Sequence, residues 1–321
     1  MKMFSPHRFL RLSAAALLCV AQLAAVTPVT ARTAAAGDVP KPEAALPYAP
    51  GEELVYQADF SRLLLRGIEI AEMRFTFARA VPGPRAGAGT QETSANPVAP
   101  AAAAPDAALV YAGDVDAKGW FRKIFGIDFH YRHESYVDPA SLLVLRTTKL
   151  DEQGKRVRLS ESIFDRATNV QTWTERNPND TQAQPRVVRN VLDGAAHDFI
   201  SAIYFLRTQP LKTGQTLELV VGDSGQTFRV PVRVSERKTL NTVVGKVSAL
   251  RVEIGLFGAG RLVGDRKGEM SIWITDDARR LPVRAQLKAD VGTLDIKLKK
   301  VSGGAVAASS PGNPAGAKGG K

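Results

Sequence analysis

Three places in the 321-residue chain hold side chains of the types that do chemistry. The first is the pair His130 and His133, on a segment from Ile127 to Val137 that alternates like a strand. A spacing of three puts two strand residues on opposite faces, so these histidines share a metal ion only across a bulge. His133 falls with Ile127, Phe129, Tyr131 and Val137 on the apolar face, and His130 with Asp128, Arg132 and Glu134 on the polar one. A metal site needs several convergent ligands, and both histidines read as structural or surface residues. The second place is His197-Asp198 followed by Ser201, which supplies every residue type of a nucleophilic triad. Triads are defined by geometry, and neither a Gly-x-Ser-x-Gly elbow nor a partner histidine elsewhere is evident. Asp198 is also favoured by the dipole of a helix that starts there. The third place is Asp276-Asp277 with Arg279-Arg280, which lies between two alternating segments and reads as a polar turn, as does Asp265-Arg266-Lys267. The expectation is therefore no catalytic residue, no metal and no cofactor, with a hydrolase centred near Asp198 as one alternative.

The elements around these residues are mostly strands. Phe228, Val230, Val232 and Val234 alternate with polar positions, and so do Leu250 to Leu256, Leu281 to Leu287, Leu294 to Leu298 and Ala71 to Phe77. Period two with one apolar face is the pattern of an antiparallel sheet that is wet on one side. Gly154-Lys155, Asp223-Ser224-Gly225, Gly245-Lys246, Asp276-Asp277 and Asp290 supply turn residues between strands. One segment has helical spacing instead: from Ala196 to Thr208, Phe199, Ile203 and Leu206 form an apolar stripe. Asp193 is available as its N-cap, and Pro210 stops it. A shorter helical turn is expected over residues 119–125.

About a dozen one-sided strands against one helix leave too much apolar surface uncovered. The expected fold is mainly β: a strongly curled antiparallel sheet, a closed or half-open barrel or two packed layers, with the helix covering the open side. A barrel of more than about eight strands leaves internal room for a ligand. The residues expected to line that space are Trp120, Phe125, Phe199, Ile203, Leu206, Arg207 and Trp273. Arg207, in the last helical turn, is placed to meet the C-terminal carbonyls or an acidic headgroup.

The first residues carry Lys2, Arg8 and Arg11 and no acid, followed by an apolar run from Leu12 to Val26 and then Pro28 and Val29-Thr30-Ala31. These are the parts of a secretory signal, with cleavage expected near Ala31 and a periplasmic location. The run is shorter than the roughly 20 residues of a membrane span, so no transmembrane segment is expected in the mature chain. The one cysteine, Cys19, lies inside this segment without the small residue a lipoprotein signal places before its cysteine. The mature chain is then cysteine-free, which excludes disulfides and thiolate chemistry. Loss of Lys2, Arg8 and Arg11 takes the formal charge from +11 to +8. Export and the scattering of Arg and Lys along alternating strands argue against nucleic acid, leaving anionic lipid headgroups as a weaker option for the basic surface. Residues 32–48 read as a linker, 82–106 as an Ala/Pro insertion and 303–321 as a tail, all too poor in core formers to fold. What remains of 49–302 reads as one β-rich domain.

Several segments resemble a family of bacterial exported proteins, domain of unknown function 3108. They are Tyr48-Ala-Pro-Gly-Glu-Glu-Leu-Val-Tyr56, Glu134-Ser-Tyr-Val-Asp138, His197-Asp-Phe-Ile-Ser-Ala-Ile-Tyr-Phe-Leu-Arg207 and Pro210-Leu-Lys-Thr-Gly214, with Ile272-Trp-Ile-Thr-Asp-Asp277 running on to Arg280-Leu-Pro-Val-Arg284. The insertion at 82–106 and the tail depart from the pattern without touching these segments. The resemblance implies a β-rich envelope protein and brings no activity or catalytic residues with it. Together these features point to a non-enzymatic envelope protein that holds a lipid, a lipid-modified partner or another apolar ligand. A structural module that binds another envelope protein is the main alternative. An outer-membrane barrel fits less well, because aromatic girdles are missing.

Overall fold

The computed structural model describes residues 46–80, 108–119, 126, 128–180, 182–192 and 194–303. The signal segment, most of the linker, the insertion at 82–106, the tail beyond Gly303, Trp120, Phe125 and Asp193 lie outside the described residues.

The described residues form fifteen strands and one helix. In chain order the strands are β1 (Glu53–Arg62), β2 (Leu65–Ala80), β3 (Ala108–Ala117), β4 (Phe129–Val137), β5 (Val144–Gln153), β6 (Arg156–Asp165), β7 (Val170–Arg176), β8 (Arg186–Val191) and β9 (Ala196–His197). Helix α1 (Phe199–Thr208) follows, then β10 (Thr216–Asp223), β11 (Gln226–Thr242), β12 (Gly245–Ile254), β13 (Gly268–Thr275), β14 (Pro282–Ala289) and β15 (Gly292–Ser302). All belong to one sheet in the order β8-β7-β6-β5-β4-β3-β2-β1-β15-β14-β13-β12-β11-β10-β9. Two antiparallel meanders, β1–β8 and β10–β15, join where β1 pairs with β15 through Phe60 opposite Leu294 and Ala58 opposite Ile296. This pairing of the two ends of the domain accounts for the strand excess: neither meander has to bury its apolar face alone.

The sheet is open, since no hydrogen-bonded pairing joins β8 to β9 among the described residues. Its two arms nevertheless meet across the concave side. Phe164 of β6 packs so closely on β10 that a Cβ at Gly222 would lie 2.7 Å from its ring. Glycine is required there by the approach of the arms. Lys149 of β5 forms an ion pair with Asp223 of β10. The Arg166 guanidinium donates to the carbonyls of both Val144, at the start of β5, and Ala196 in β9. The mainly β, curled architecture expected from the alternation is present as a single half-open sheet rather than a closed barrel or two layers.

Helix α1 starts three residues later than its apolar spacing suggests. Ala196 and His197 continue as β9, the one parallel pairing in the sheet, alongside Val220 and Val221. Asp198 then caps the helix, its side chain accepting from the backbone N–H groups of Ile200 and Ser201 while the Ser201 hydroxyl accepts from the Asp198 N–H. That reciprocal arrangement satisfies donors that would otherwise be orphaned at the helix start. The expected stripe meets the sheet, but its residues are covered unequally. Ile200 and Tyr204 pack into one core cluster with Phe77, Tyr111 and Leu192, and Ala202 and Leu206 into another with Val230, Val252 and Ile272, whereas Phe199 and Ile203 are only partly covered. Gly113 of β3 lets the helix approach, because a Cβ there would lie 2.8 Å from Ile200. The linker boundary at residue 48 also shifts: Tyr48 is buried in the same cluster as Tyr204, and Leu46 packs against it. No helix among the described residues is long and apolar enough to cross a membrane.

Candidate functional site

The cavity of interest lies between α1 and the strands β1, β2 and β13–β15. Its volume is about 150 Å³, and its wall includes Tyr56, Met73, Phe75, Phe199, Ile203 and Leu294. The wall follows β14 from Pro282 to Ala289, a run of about 23 Å at the rise of a β-strand. The space is narrow and drawn out, below the roughly 300–1,000 Å³ of pockets for drug-sized ligands. Three of the residues expected to line it do so: Phe199, Ile203 and Arg207. Leu206 and Trp273 sit instead in core clusters, Leu206 with Val252 and Ile272, Trp273 with Tyr56 and Leu281.

The charged residues on the wall are Arg207, Arg266 and Arg284. Arg207 does not turn back to the helix carbonyls. Its Nη1 and Nη2 donate to the two carboxylate oxygens of Glu52 at 2.5 and 2.9 Å, and Nη2 also reaches the carbonyl of Arg279. The pair is sealed from solvent, Arg207 being 1% and Glu52 4% exposed. The guanidinium lies over the rings of Tyr48 and Tyr204, at 4.7 and 5.3 Å from their centroids. Tyr204 stacks on Tyr111, whose hydroxyl is hydrogen-bonded to that of Tyr48. Burial pushes the Tyr48 phenol up to about 12, so these hydroxyls stay neutral. Arg284 is likewise held, in a two-pronged pair with Asp295. Arg266 is exposed, and no ion pair engages it among the described residues. Any net positive charge the cavity offers a ligand therefore comes from Arg266, while Arg207 contributes an Nε–H that has no hydrogen-bond partner.

A second polar cluster lies under the start of α1. Ser135 and Ser201 donate to the two carboxylate oxygens of Asp198, at 2.8 and 2.9 Å, and His133 Nε2 lies 3.4 Å from Asp198. His133 Nδ1 faces the Tyr131 hydroxyl at 3.4 Å. This is not a triad, which needs a serine at one ring nitrogen and the carboxylate at the other. Here Ser135 and Asp198 meet the same nitrogen and Ser135 gives its proton to Asp198. None of Ser135, His133, Asp198 and Ser201 is more than 2% exposed, so water and substrate are kept out. Desolvation by burial lowers His133 to about 4 and keeps the imidazole neutral, while His133 and the hydroxyls hold the Asp198 carboxyl below its usual range despite burial. The cluster is a satisfied buried network, of the kind that fixes one packing arrangement. His130, by contrast, faces solvent beside Glu152, Asp114 and Asp116. Among the described residues no group of three or more His, Cys, Asp or Glu side chains is placed to hold a metal.

Sequence reasoning missed Glu52 and Ser135 as partners of the helix, although both lie in the segments that carry the family resemblance. The segment from Tyr48 to Tyr56 supplies Glu52, that from Glu134 to Asp138 supplies Ser135, and that around Arg280 supplies the Arg279 carbonyl and the Pro282 carbonyl bonded by Tyr56. The resembling segments thus converge on one structural feature, the docking of α1 into the sheet.

An open, barrel-like antiparallel sheet curled about one docked helix makes this a mainly β protein. The chain belongs to the family described as "Protein of unknown function (DUF3108)", whose family model matches residues 72–299. No curated protein matches the sequence. Among solved structures the chain is similar to a β-barrel-like protein of a domain of unknown function, DUF1849, from Brucella abortus, with a TM-score of 0.49 and 7% identity over 79% of this chain and 98% of that one. A candidate lipoprotein from Parabacteroides distasonis aligns with a TM-score of 0.28 and 9% identity over 80% of this chain and 97% of that one. A candidate exported protein with a YmcC-like fold from Bacteroides fragilis aligns with a TM-score of 0.27 and 12% identity over 80% of this chain and 99% of that one.

Proposed function

We propose that this is a non-enzymatic protein of the cell envelope that holds a narrow apolar chain, such as a lipid acyl tail, in the cavity between α1 and the sheet. The observation that carries this reading is the cavity wall itself: an elongated apolar surface partly roofed by Phe199 and Ile203, side chains that the helix leaves incompletely buried. Both side chains pack against the core cluster of Leu206 on one flank, and the apolar surface that this packing leaves uncovered faces the cavity. The leader-like N-terminus supports export to the envelope. An acidic headgroup would sit at the Arg266 end, where the cationic charge is not already neutralised.

Binding of two fluorescent probes, anionic parinaric acid and neutral N-phenylnaphthylamine, tests this. Phe199→Ala and Ile203→Ala are expected to change the affinity for both probes at little cost in stability. Leu206→Ala, which empties a core position, is expected to cost about 2–5 kcal/mol. Arg266→Ala is expected to weaken parinaric acid alone. Unchanged affinity for both probes in all of the wall variants would remove the cavity as a binding site.

A second reading, a module that binds another envelope protein, has one observation of its own. Strand β8 is a free edge of the sheet, with Val187 and Val191 exposed on it. Unpaired edges accept added strands, although Arg186 and Arg189 on the same strand act against indiscriminate pairing.

A further inference from the structure

The hairpin between β1 and β2 ends in Ser61-Arg-Leu-Leu-Leu-Arg-Gly67. Pairing stops at Arg62 opposite Leu65, so Leu63 and Leu64 make the two-residue turn. Turns of this length favour Asn, Asp or Gly, because the backbone enters the left-handed region. Leu63 is in that region, at φ 49°. The same sheet uses ordinary turn chemistry elsewhere, as at Ser224-Gly225 between β10 and β11. At the β1–β2 tip the side chains are nonetheless in water, Leu63 being 87%, Leu64 98% and Leu65 45% exposed. Local conformation argues against leucine at this turn, and packing among the described residues leaves Leu63 and Leu64 uncovered, so the reason for the leucines lies outside the described fold.

Their flanks indicate what lies there. Arg62 and Arg66 bracket the leucines. Apolar side chains that reach into acyl chains, with guanidinium groups beside them at the phosphate level, suit an anionic bilayer surface. The strand register puts the β14–β15 turn and the start of β13 at the same end of the sheet, since Phe60 lies opposite Leu294 and Gly268 opposite Ala289. Exposed Arg266, Lys267 and Lys288 stand there with exposed Asp265, Glu269 and Asp290, Lys288 pairing with Glu269, so these charges balance and the basic excess at this end is that of the tip's own arginines. We propose that the β1–β2 tip is a membrane-docking element that inserts Leu63, Leu64 and Leu65 into an anionic lipid surface with the exposed Arg66 at the phosphates. Docking in this way does not depend on what the cavity holds. It would turn the cavity end formed by Ala289, Val291 and Arg266 toward the bilayer.

Co-sedimentation of the purified chain with vesicles of phosphatidylglycerol and phosphatidylethanolamine, against vesicles of phosphatidylcholine alone, tests the proposal. Wild type is expected to pellet with the anionic vesicles. The double variant Leu63→Asn/Leu64→Gly puts turn-forming residues at both tip positions, with Asn, which tolerates the left-handed region, at the one that adopts it, so it is expected to fold with an unchanged or higher melting temperature and to lose vesicle affinity by at least about tenfold. Arg66→Gln is expected to weaken binding to anionic vesicles and to reduce its salt dependence. Wild type that stays in the supernatant, or a folded Asn-Gly variant that pellets like wild type, overturns the docking site. Loss of a bound protein partner in the Asn-Gly variant, with no vesicle binding by wild type, overturns it in favour of a protein surface. Because the probe experiment reads the cavity alone, the two ideas can fail separately.

Discussion

Arg207→Met is expected to destabilise the chain by about 3–5 kcal/mol, because it strands the Glu52 carboxylate in a sealed site. The pair spans 155 positions of sequence and ties the residue just before β1 to the last turn of α1. Its two hydrogen bonds, the contact to the Arg279 carbonyl and the rings of Tyr48 and Tyr204 offset the cost of taking both charges out of water. Removing either partner leaves the other with that cost and no compensation, so Glu52→Leu is expected to be comparably damaging. The double variant Glu52→Leu/Arg207→Met removes both charges and is expected to recover most of the loss. Urea unfolding of the four proteins checks this. Additive losses in the double variant would show that the two side chains act independently.

Stability is also expected to fall steeply in mild acid. His133 and His197 are both buried, and desolvation lowers each to about 4 in the folded chain. In the unfolded chain a histidine titrates near 6.5. Above that value both states are neutral and the full stability is present. As pH falls from about 6.5 to 4 the unfolded chain takes up two protons that the folded chain refuses, and stability drops. At about 1.4 kcal/mol per pKa unit, His197 removes about 3 kcal/mol by pH 4, and His133 adds a loss in the same direction. Asp198, whose folded carboxyl is held below its usual range, adds a further loss at still lower pH as it is forced to protonate. Melting curves between about pH 8 and 4, the range that brackets histidine titration, should show the decline in wild type. His133→Gln and His197→Gln should each start less stable and flatten the slope. A melting temperature that does not move across this range would mean the imidazoles are not sealed as the structure has them.

Much of the sheet was legible because it rests on local rules. The alternation of Val230, Val232 and Val234 and the turn residues at Gly154, Ser224-Gly225 and Gly245 fall where the structure puts strands and turns. The helix was legible as an element but not in its start or in the full extent of its buried face. Ala196 and His197 join the sheet because a neighbouring strand, β10, offers a parallel partner, which periodicity cannot reveal. The Asp198-x-x-Ser201 cap was present in the sequence, and it marks the true first turn more closely than Asp193 does. The buried face includes Ser201 and Arg207, polar residues that an apolar count leaves out. Their partners, Ser135 through Asp198 and Glu52, lie far away in sequence, and only the β1–β15 pairing and the curl of the arms bring them together. For the same reason Leu206, read as cavity lining, turned inward to the core, and the cavity wall drew on Leu287, Leu294 and Ile296 of β14 and β15, which the sequence marked only as strand residues.

Native mass spectrometry of the chain purified without detergent from its own compartment tests the central claim most directly. The expected result is a fraction of the protein heavier by one small apolar molecule. That fraction should vanish after organic extraction and be absent from an Ile203→Trp variant, whose larger side chain fills the cavity. A wild-type spectrum showing only the bare chain, or the chain bound to another polypeptide with the cavity empty, would contradict it.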